Sequence, residues 1–348
     1  LLFPGAEGTE NVRELLQARL APYPDMSLTD ADHYQSGENL VQENAAVERL
    51  VRAQQADIER NWRATSFSAL SFKHSDYHGA SHSGGDDEDH RLQQSLVLKQ
   101  ALPVAQLTAY DFPKGPGPGS ALHDILEQIS FRGVLAGEAQ AMEELEQVIT
   151  HTLHKYALDE SWHALLCSWM AAIMRCPILE SGLYLGQLQS DDCLVEMEFH
   201  LALNELDAQH FNATMISLFG YDFGLDFERV KGVLKGFIDL IFCYQGRYYV
   251  LDYKSNYLGE SADDYNDEAL THAMNAHSYH VQGAIYMVAL HRLLAARLPD
   301  YDPAKHLGGM VYTFLRAMPE GHGVYYRPFS VAEIDTLDGL FAKGAHYA

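Results

Sequence analysis

KGVLKGFIDLIFCYQGRYYVLDYK, residues Lys231 to Lys254, decides the fold. Its Val, Ile, Leu, Phe and Tyr content predicts two strands, Val233–Cys243 and Arg247–Lys254, around a short turn holding Gly246. A symmetric hairpin with Gln245-Gly246 at its tip pairs Tyr244 with Arg247. Counted back along both arms, the same register sets Asp239 opposite Asp252, and a loop one residue longer or shorter breaks that alignment. Two carboxylates so placed have Cβ atoms about 4.5–5.5 Å apart and repel each other. A hard divalent cation offsets the repulsion economically, because Mg²⁺ takes one or two carboxylates together with water and phosphate oxygens. Strand alternation adds Lys254 to the face of Asp252. Two acids and an amine around a metal-sized gap suit metal-assisted phosphodiester hydrolysis. A single Asp-x-Lys is more often an ordinary surface ion pair. That reading weakens once Asp239 arrives in register from a strand that is otherwise nearly all apolar.

Gly236-Phe237-Ile238-Asp239, then Asp252-Tyr253-Lys254, then Gln282-x-x-x-Tyr286 resemble the RecB-family branch of the PD-(D/E)xK nucleases. The resemblance covers residues 61–348 and is most specific over 231–290. It implies an α/β, restriction-endonuclease-like core, with a mixed central sheet flanked by helices. A helical remnant of a helicase region (residues 1–72) and a flexible acidic, His-rich linker (73–100) would precede the nuclease domain (101–348).

The bulk composition is that of a globular chain, 47% hydrophobic and 21% charged over 348 residues, enough for one substantial core and an appendage. No apolar run is long enough to span a bilayer, and the start has no signal pattern; free thiols in a reducing cytoplasm are the expectation for its four cysteines. The first residue is Leu1 rather than Met, which reads as a piece of something longer. Cys167, Cys176, Cys193 and Cys243 have neither zinc nor iron–sulfur spacing, and nothing after Cys243 could complete a cluster. No Walker A loop is present. The net charge of −24 argues against binding DNA by bulk electrostatics. From Arg229 to Gly259 the balance reverses, with five basic residues against Asp239 and Asp252. Other domains or subunits would have to help hold DNA.

Residues 1–60 read as loosely helical, and Thr65-Ser-Phe-Ser-Ala-Leu70 resembles the serine-bearing segment that opens RecB-type nuclease regions. Residues 72–90 hold four histidines, Gly-Gly and an acid run; a solvated linker outweighs a metal-binding tract there. After the breaker-rich run Phe112–Gly119, residues Leu122, Ile125, Leu126 and Ile129 predict an amphipathic helix over Ser120–Phe131. His123 and Glu127 lie one turn apart beside its apolar stripe. A lone histidine there is usually structural. The resemblance changes that, because Gly119-x-x-x-His123 falls where RecB-type nucleases carry a metal-binding histidine.

Helices are expected over Glu138–Tyr156 and Glu160–Arg175. Cys193–Leu203 alternates as a strand, with Val195, Met197 and Phe199 facing one way and Glu196, Glu198 and His200 the other. A solvated strand edge explains Glu198. Glu196 matches the family's glutamate on the first core strand, a further acid near the metal. Residues 268–296 read as one helix, with Tyr279, Gln282 and Tyr286 on one face. A strand over Leu307–Leu315 and a helix over Val331–Phe341 close the chain.

The site implied by the resemblance comprises His123, Asp239, Asp252 and the Tyr253 main-chain carbonyl as Mg²⁺ ligands. Lys254 activates or positions the attacking water, Glu196 supports the site, and Gln282 and Tyr286 position DNA or the catalytic groups. The implied setting is an ATP-driven helicase–nuclease that processes single strands of unwound DNA, with RecC and RecD as partner subunits and RecA loaded from the domain. A competing reading is a nuclease-like scaffold that has lost its chemistry and docks DNA or the recombinase. Loss of an acid or of Lys254 would have favoured it, and all are present.

Overall fold

The computed structural model describes residues 62–67, 107–227 and 229–342. Apart from Trp62–Phe67, the expected helicase remnant and linker lie outside the described residues. The first strand, β1 (Trp62–Ser66), is followed by helices α1 (Pro116–Gln128), α2 (Phe131–Ala136), α3 (Ala139–Lys155) and α4 (His163–Ile173). Strand β2 (Cys193–Leu206) and helix α5 (Ala208–Phe219) lead into the hairpin of β3 (Val230–Tyr244) and β4 (Arg247–Lys254). Helices α6 (Asp267–Ala276) and α7 (Tyr279–Arg297), one-turn α8 (Pro303–His306), strands β5 (Leu307–Phe314) and β6 (Val324–Arg327), and α9 (Val331–Ala342) complete the domain.

The six strands form one mixed sheet in the order β1-β3-β4-β5-β6, with β2 also paired to β3. β1 with β3 and β4 with β5 are parallel; the other pairs are antiparallel. Helices cover both faces, as a sheet with apolar residues on both sides requires. On one face α5, α6, α7 and α9 pack against Leu234, Ile238, Ile241, Val250 and Met310. On the other, α1, α3 and α4 pack against Leu240, Phe242, Leu251, Tyr253 and Val311.

Local chemistry explains where the elements begin and end, including places where sequence reading placed them differently. Gln245 (φ 51) and Gly246 (φ 75) both have positive φ, the type I′ turn whose twist suits a two-residue hairpin. Helix α1 starts four residues earlier than expected, inside the breaker-rich run. Pro116 and Pro118 occupy its first turn, where a missing N–H costs nothing. The single helix expected over 268–296 is two, because Ser278 adopts a left-handed conformation (φ 57) and turns the chain between α6 and α7. Helix α5 was not anticipated, although Asp207 caps it by accepting from His210 N–H and Gly220 ends it in a left-handed conformation.

The alternation expected along β2 also fails at one point. Glu196 has φ 47, and the β2–β3 ladder pairs Val195 with Leu240 and Met197 with Ile238 but skips Glu196 and Asp239. In β3, Leu234 and Ile238 belong to one core and Leu240 and Phe242 to the other, so the strand changes face at Asp239. Both strands slip in step and keep their register. Val195, expected on the face of Phe199, is exposed instead.

Candidate active site

The pairing of β3 leaves a gap along one edge. β2 runs beside residues 232–242 of β3, so β1 and β4 share the opposite edge. There β1 pairs with Lys231–Lys235 and β4 with Leu240–Tyr244. Gly236-Phe237-Ile238-Asp239 therefore has no ladder partner on that edge among the described residues. The hairpin keeps the predicted register from Tyr244–Arg247 to Leu240–Leu251, and there it stops. Asp239 is thus not the ladder partner of Asp252. Instead the strands part, and the Tyr253 main-chain N–H, which the continuing ladder would have given to a β3 carbonyl, donates to Asp239 Oδ2 at 2.8 Å.

His123 reaches the gap from α1. Its Nδ1 lies 3.4 Å from Asp239 Oδ2, and its ring stands edge-on to that of Tyr253 with centroids 5.8 Å apart. Two features bring α1 this close. A Cβ on Gly119 would sit 2.8 Å from Ser255 Oγ, immediately after Lys254, so the glycine permits the approach. The buried Arg316 guanidinium then ties the loop before α1 to the same place, donating to the carbonyls of Ala109, Phe112, Pro113 and Ser255 at 2.8–2.9 Å. Nothing in the sequence pattern singles out Arg316. On β3, a Cβ at Gly236 would meet the Phe199 ring at 2.8 Å, which accounts for the glycine of the Gly-x-x-Asp stretch.

Asp252 and Lys254 are paired, Nζ to Oδ2, at 2.8 Å. Their side chains are 4% and 1% exposed, whereas His123 and Asp239 are 19% and 16% exposed. The His123–Asp239 pair is thus partly open to solvent, whereas the Asp252–Lys254 pair is withdrawn from it. Glu196 is exposed on β2 next to Asp239, at the skipped ladder position. Glu127, one turn beyond His123, is a further acid here to which sequence reading gave no role; its i+4 spacing from His123 was the available signal. Its carboxyl is pushed up to about 7, first by burial and next by the charge of Glu196, with Asp124 and Asp239 adding to the effect and His123 opposing it.

That crowding bears on a cation. Carboxylates of Glu127, Glu196 and Asp239 accumulate beside one imidazole, and a hard divalent ion relieves such a field. His123 Nδ1 and Asp239 Oδ2, 3.4 Å apart and both partly exposed, offer one nitrogen and one oxygen donor of the kind such an ion takes. Among the described residues no three His, Cys, Asp or Glu side chains already close on a common point. Gln282 and Tyr286 lie on α7, and both are buried. Gln282 Nε2 donates to the Tyr286 hydroxyl at 3.1 Å, so this pair faces the interior rather than an open groove.

The sequence profile of the PD-(D/E)XK nuclease superfamily matches residues 88–345. The chain is similar to the RecBCD enzyme subunit RecB of Escherichia coli, 35% identical over 290 residues, which is 81% of this chain and 23% of that protein. The Haemophilus influenzae RecBCD enzyme subunit RecB is 36% identical over 299 residues, 82% of this chain and 24% of the relative. That of Mycobacterium tuberculosis is 48% identical over 96 residues, 27% of this chain and 9% of its own length. The chain thus spans about a quarter of the length of the first two curated relatives. Among the described residues no helix is long and apolar enough to cross a membrane.

Proposed function

Because the chain belongs to the PD-(D/E)XK nuclease superfamily, as a nuclease domain of the RecB type, we propose that it is the Mg²⁺-dependent DNA nuclease part of a RecBCD-type helicase–nuclease. Its substrate is single-stranded DNA released by unwinding, during double-strand break repair and the degradation of foreign linear DNA. The observation that carries this reading is the meeting at one gap of Asp239 with His123 (3.4 Å) and with the Tyr253 N–H (2.8 Å), Tyr253 being flanked in the chain by the paired Asp252 and Lys254 (2.8 Å).

Superfamily nucleases are generally divalent-metal dependent. We assign Mg²⁺ because the donors are mostly hard oxygens. His123, Asp239 and Asp252, with the Tyr253 carbonyl, would hold it. Once bound, such an ion polarises a phosphate oxygen and lowers the pKa of coordinated water. Asp239 keeps its orientation through the Tyr253 N–H. Lys254 orients the attacking water or stabilises charge developing on the phosphate. Glu196 adds negative charge beside Asp239, and Gln282 and Tyr286 position the catalytic groups.

Helicase activity and ATP binding belong to the longer RecB-type subunit. RecC and RecD are the proposed partner subunits, RecA the recombinase loaded from the domain, and the cytoplasm its place of work. The inert-scaffold reading is not favoured, since each expected acid and Lys254 is present. The test is Mg²⁺-dependent cleavage of a labelled single-stranded oligonucleotide, with Asp252→Asn as comparison. Equal activity in the two proteins removes this site from the chemistry.

A further inference from the structure

The Lys254 ammonium is almost wholly withdrawn from water, at 1% exposure, on a flexible four-carbon stem. A buried ammonium needs partners around it to hold one position. Asp252 supplies one at 2.8 Å. On another side Nζ lies 4.0 Å from the centre of the Tyr279 ring, well inside cation–π range, and 5.6 Å from that of Tyr312. Those two rings are stacked on each other with centroids 5.7 Å apart.

The Tyr279 ring is itself fixed from three directions. Its hydroxyl donates to Asn256 Oδ1 at 3.1 Å, two residues after Lys254. The His277 ring stacks on it at 5.2 Å, and Asn256 Nδ2 lies 3.4 Å from His277 Nε2. The Tyr312 hydroxyl is 3.0 Å from both the Tyr279 carbonyl and Gln282 Oε1, with one proton to share between them. Gln282 in turn donates to Tyr286. The left-handed Ser278 is the turn that brings Tyr279 to the first position of α7, facing the sheet.

We propose that Tyr279 is a positioning residue: the face of its ring holds the Lys254 ammonium in the direction from which it acts. The buried Gln282–Tyr286 pair contributes from behind, through Tyr312, rather than by touching the DNA strand. This inference rests on the role given to Lys254 above. Without the ring, the ammonium keeps its bond to Asp252 and loses the cation–π contact with position 279. Cleavage slows while DNA binding is unchanged.

The experiment uses the whole 348-residue chain with Mg²⁺ and a single-stranded oligonucleotide, separating the single-turnover rate from the apparent binding constant. Tyr279→Phe keeps the ring and loses only the hydroxyl; its rate should stay within about 3-fold of the parent. Tyr279→Leu should slow cleavage about 30-fold, with binding unaltered. Because Tyr279→Leu could disturb packing, a second series places phenylalanine, then its mono-, di- and trifluorinated forms, at position 279. Fluorination drains the ring face of negative potential at nearly constant shape. The logarithm of the rate should fall stepwise across the series while the thermal midpoint holds. A flat series, or Tyr279→Leu at the parent rate, overturns the proposal. Full activity in Lys254→Ala overturns the underlying reading of Lys254, and the role of Tyr279 with it.

Discussion

Asp239 Oδ2 accepts the Tyr253 main-chain N–H at 2.8 Å, just beyond Leu240–Leu251, the last rung of the β3–β4 ladder. A catalytic candidate thereby takes over a hydrogen bond that backbone would otherwise make. Asn at position 239 still offers an oxygen to that N–H, but no charge. Asp239→Asn should therefore change stability by no more than about 1 kcal/mol and reduce cleavage at least about 100-fold. Urea unfolding and single-turnover assays on the same preparation check both. An active Asp239→Asn protein would remove the carboxylate from the chemistry.

Lys254→Ala removes the ammonium that lies 2.8 Å from the Asp252 carboxylate, which is 4% exposed. Breaking a buried ion pair by removing one partner costs about 3–5 kcal/mol. If Asp252 is also a metal ligand, a divalent cation can replace the missing ammonium. Ca²⁺ should therefore raise the urea midpoint of Lys254→Ala by more than it raises that of the parent, relative to EDTA. Equal gains in the two proteins would place Asp252 outside the cation site.

His280 is buried against Phe219 and Tyr325, and its pKa is lowered from 6.5 to about 4, chiefly by burial and secondarily by the charge of Arg327. Between these values the unfolded chain binds a proton that the folded one refuses. The His280 contribution is thus fully present above pH 6.5 and is lost as pH falls toward 4, by about 3 kcal/mol in all. Denaturant midpoints across that window should drop less in His280→Phe than in the parent. Parallel curves would show that the imidazole is not the group responsible.

Arg316 secures four carbonyls around the start of α1 and the end of β4. Arg316→Ala should destabilise the chain by about 3 kcal/mol, since buried groups lose a charged donor. Arg316→Lys should recover only part of this, because an ammonium lacks the planar fork. Both variants should also lose cleavage at temperatures where they remain folded, as His123 drifts from Asp239. Calorimetry beside activity at low temperature separates the two effects. Undiminished activity in folded Arg316→Ala would mean that His123 is held by other contacts.

Several features of this chain were legible from sequence because they depend on neighbours in the chain. The hairpin follows from two β-rich runs around Gln245-Gly246, and its register near the turn from loop length alone. Asp252 and Lys254 share a strand face by their spacing, His123 is singled out only through the family resemblance, and the order of motifs points to the family that the profile match shows. Other features depend on groups far apart in sequence. Whether Asp239 continues the ladder or leaves it is decided by β1 and β4 sharing one edge of β3, and no local pattern encodes that. The face switch at Glu196 and Asp239 breaks the alternation that strand reading assumes. Arg316 serves carbonyls more than 200 residues away, and Tyr279 meets Lys254 only because α7 lies across β4 and β5. Sequence thus determined the family, through the order of its short motifs, and the pairing of the hairpin near its turn, through loop geometry. The tertiary structure decided how the acids, the histidine and the lysine are held, because burial and long-range hydrogen bonds arise only when distant segments meet.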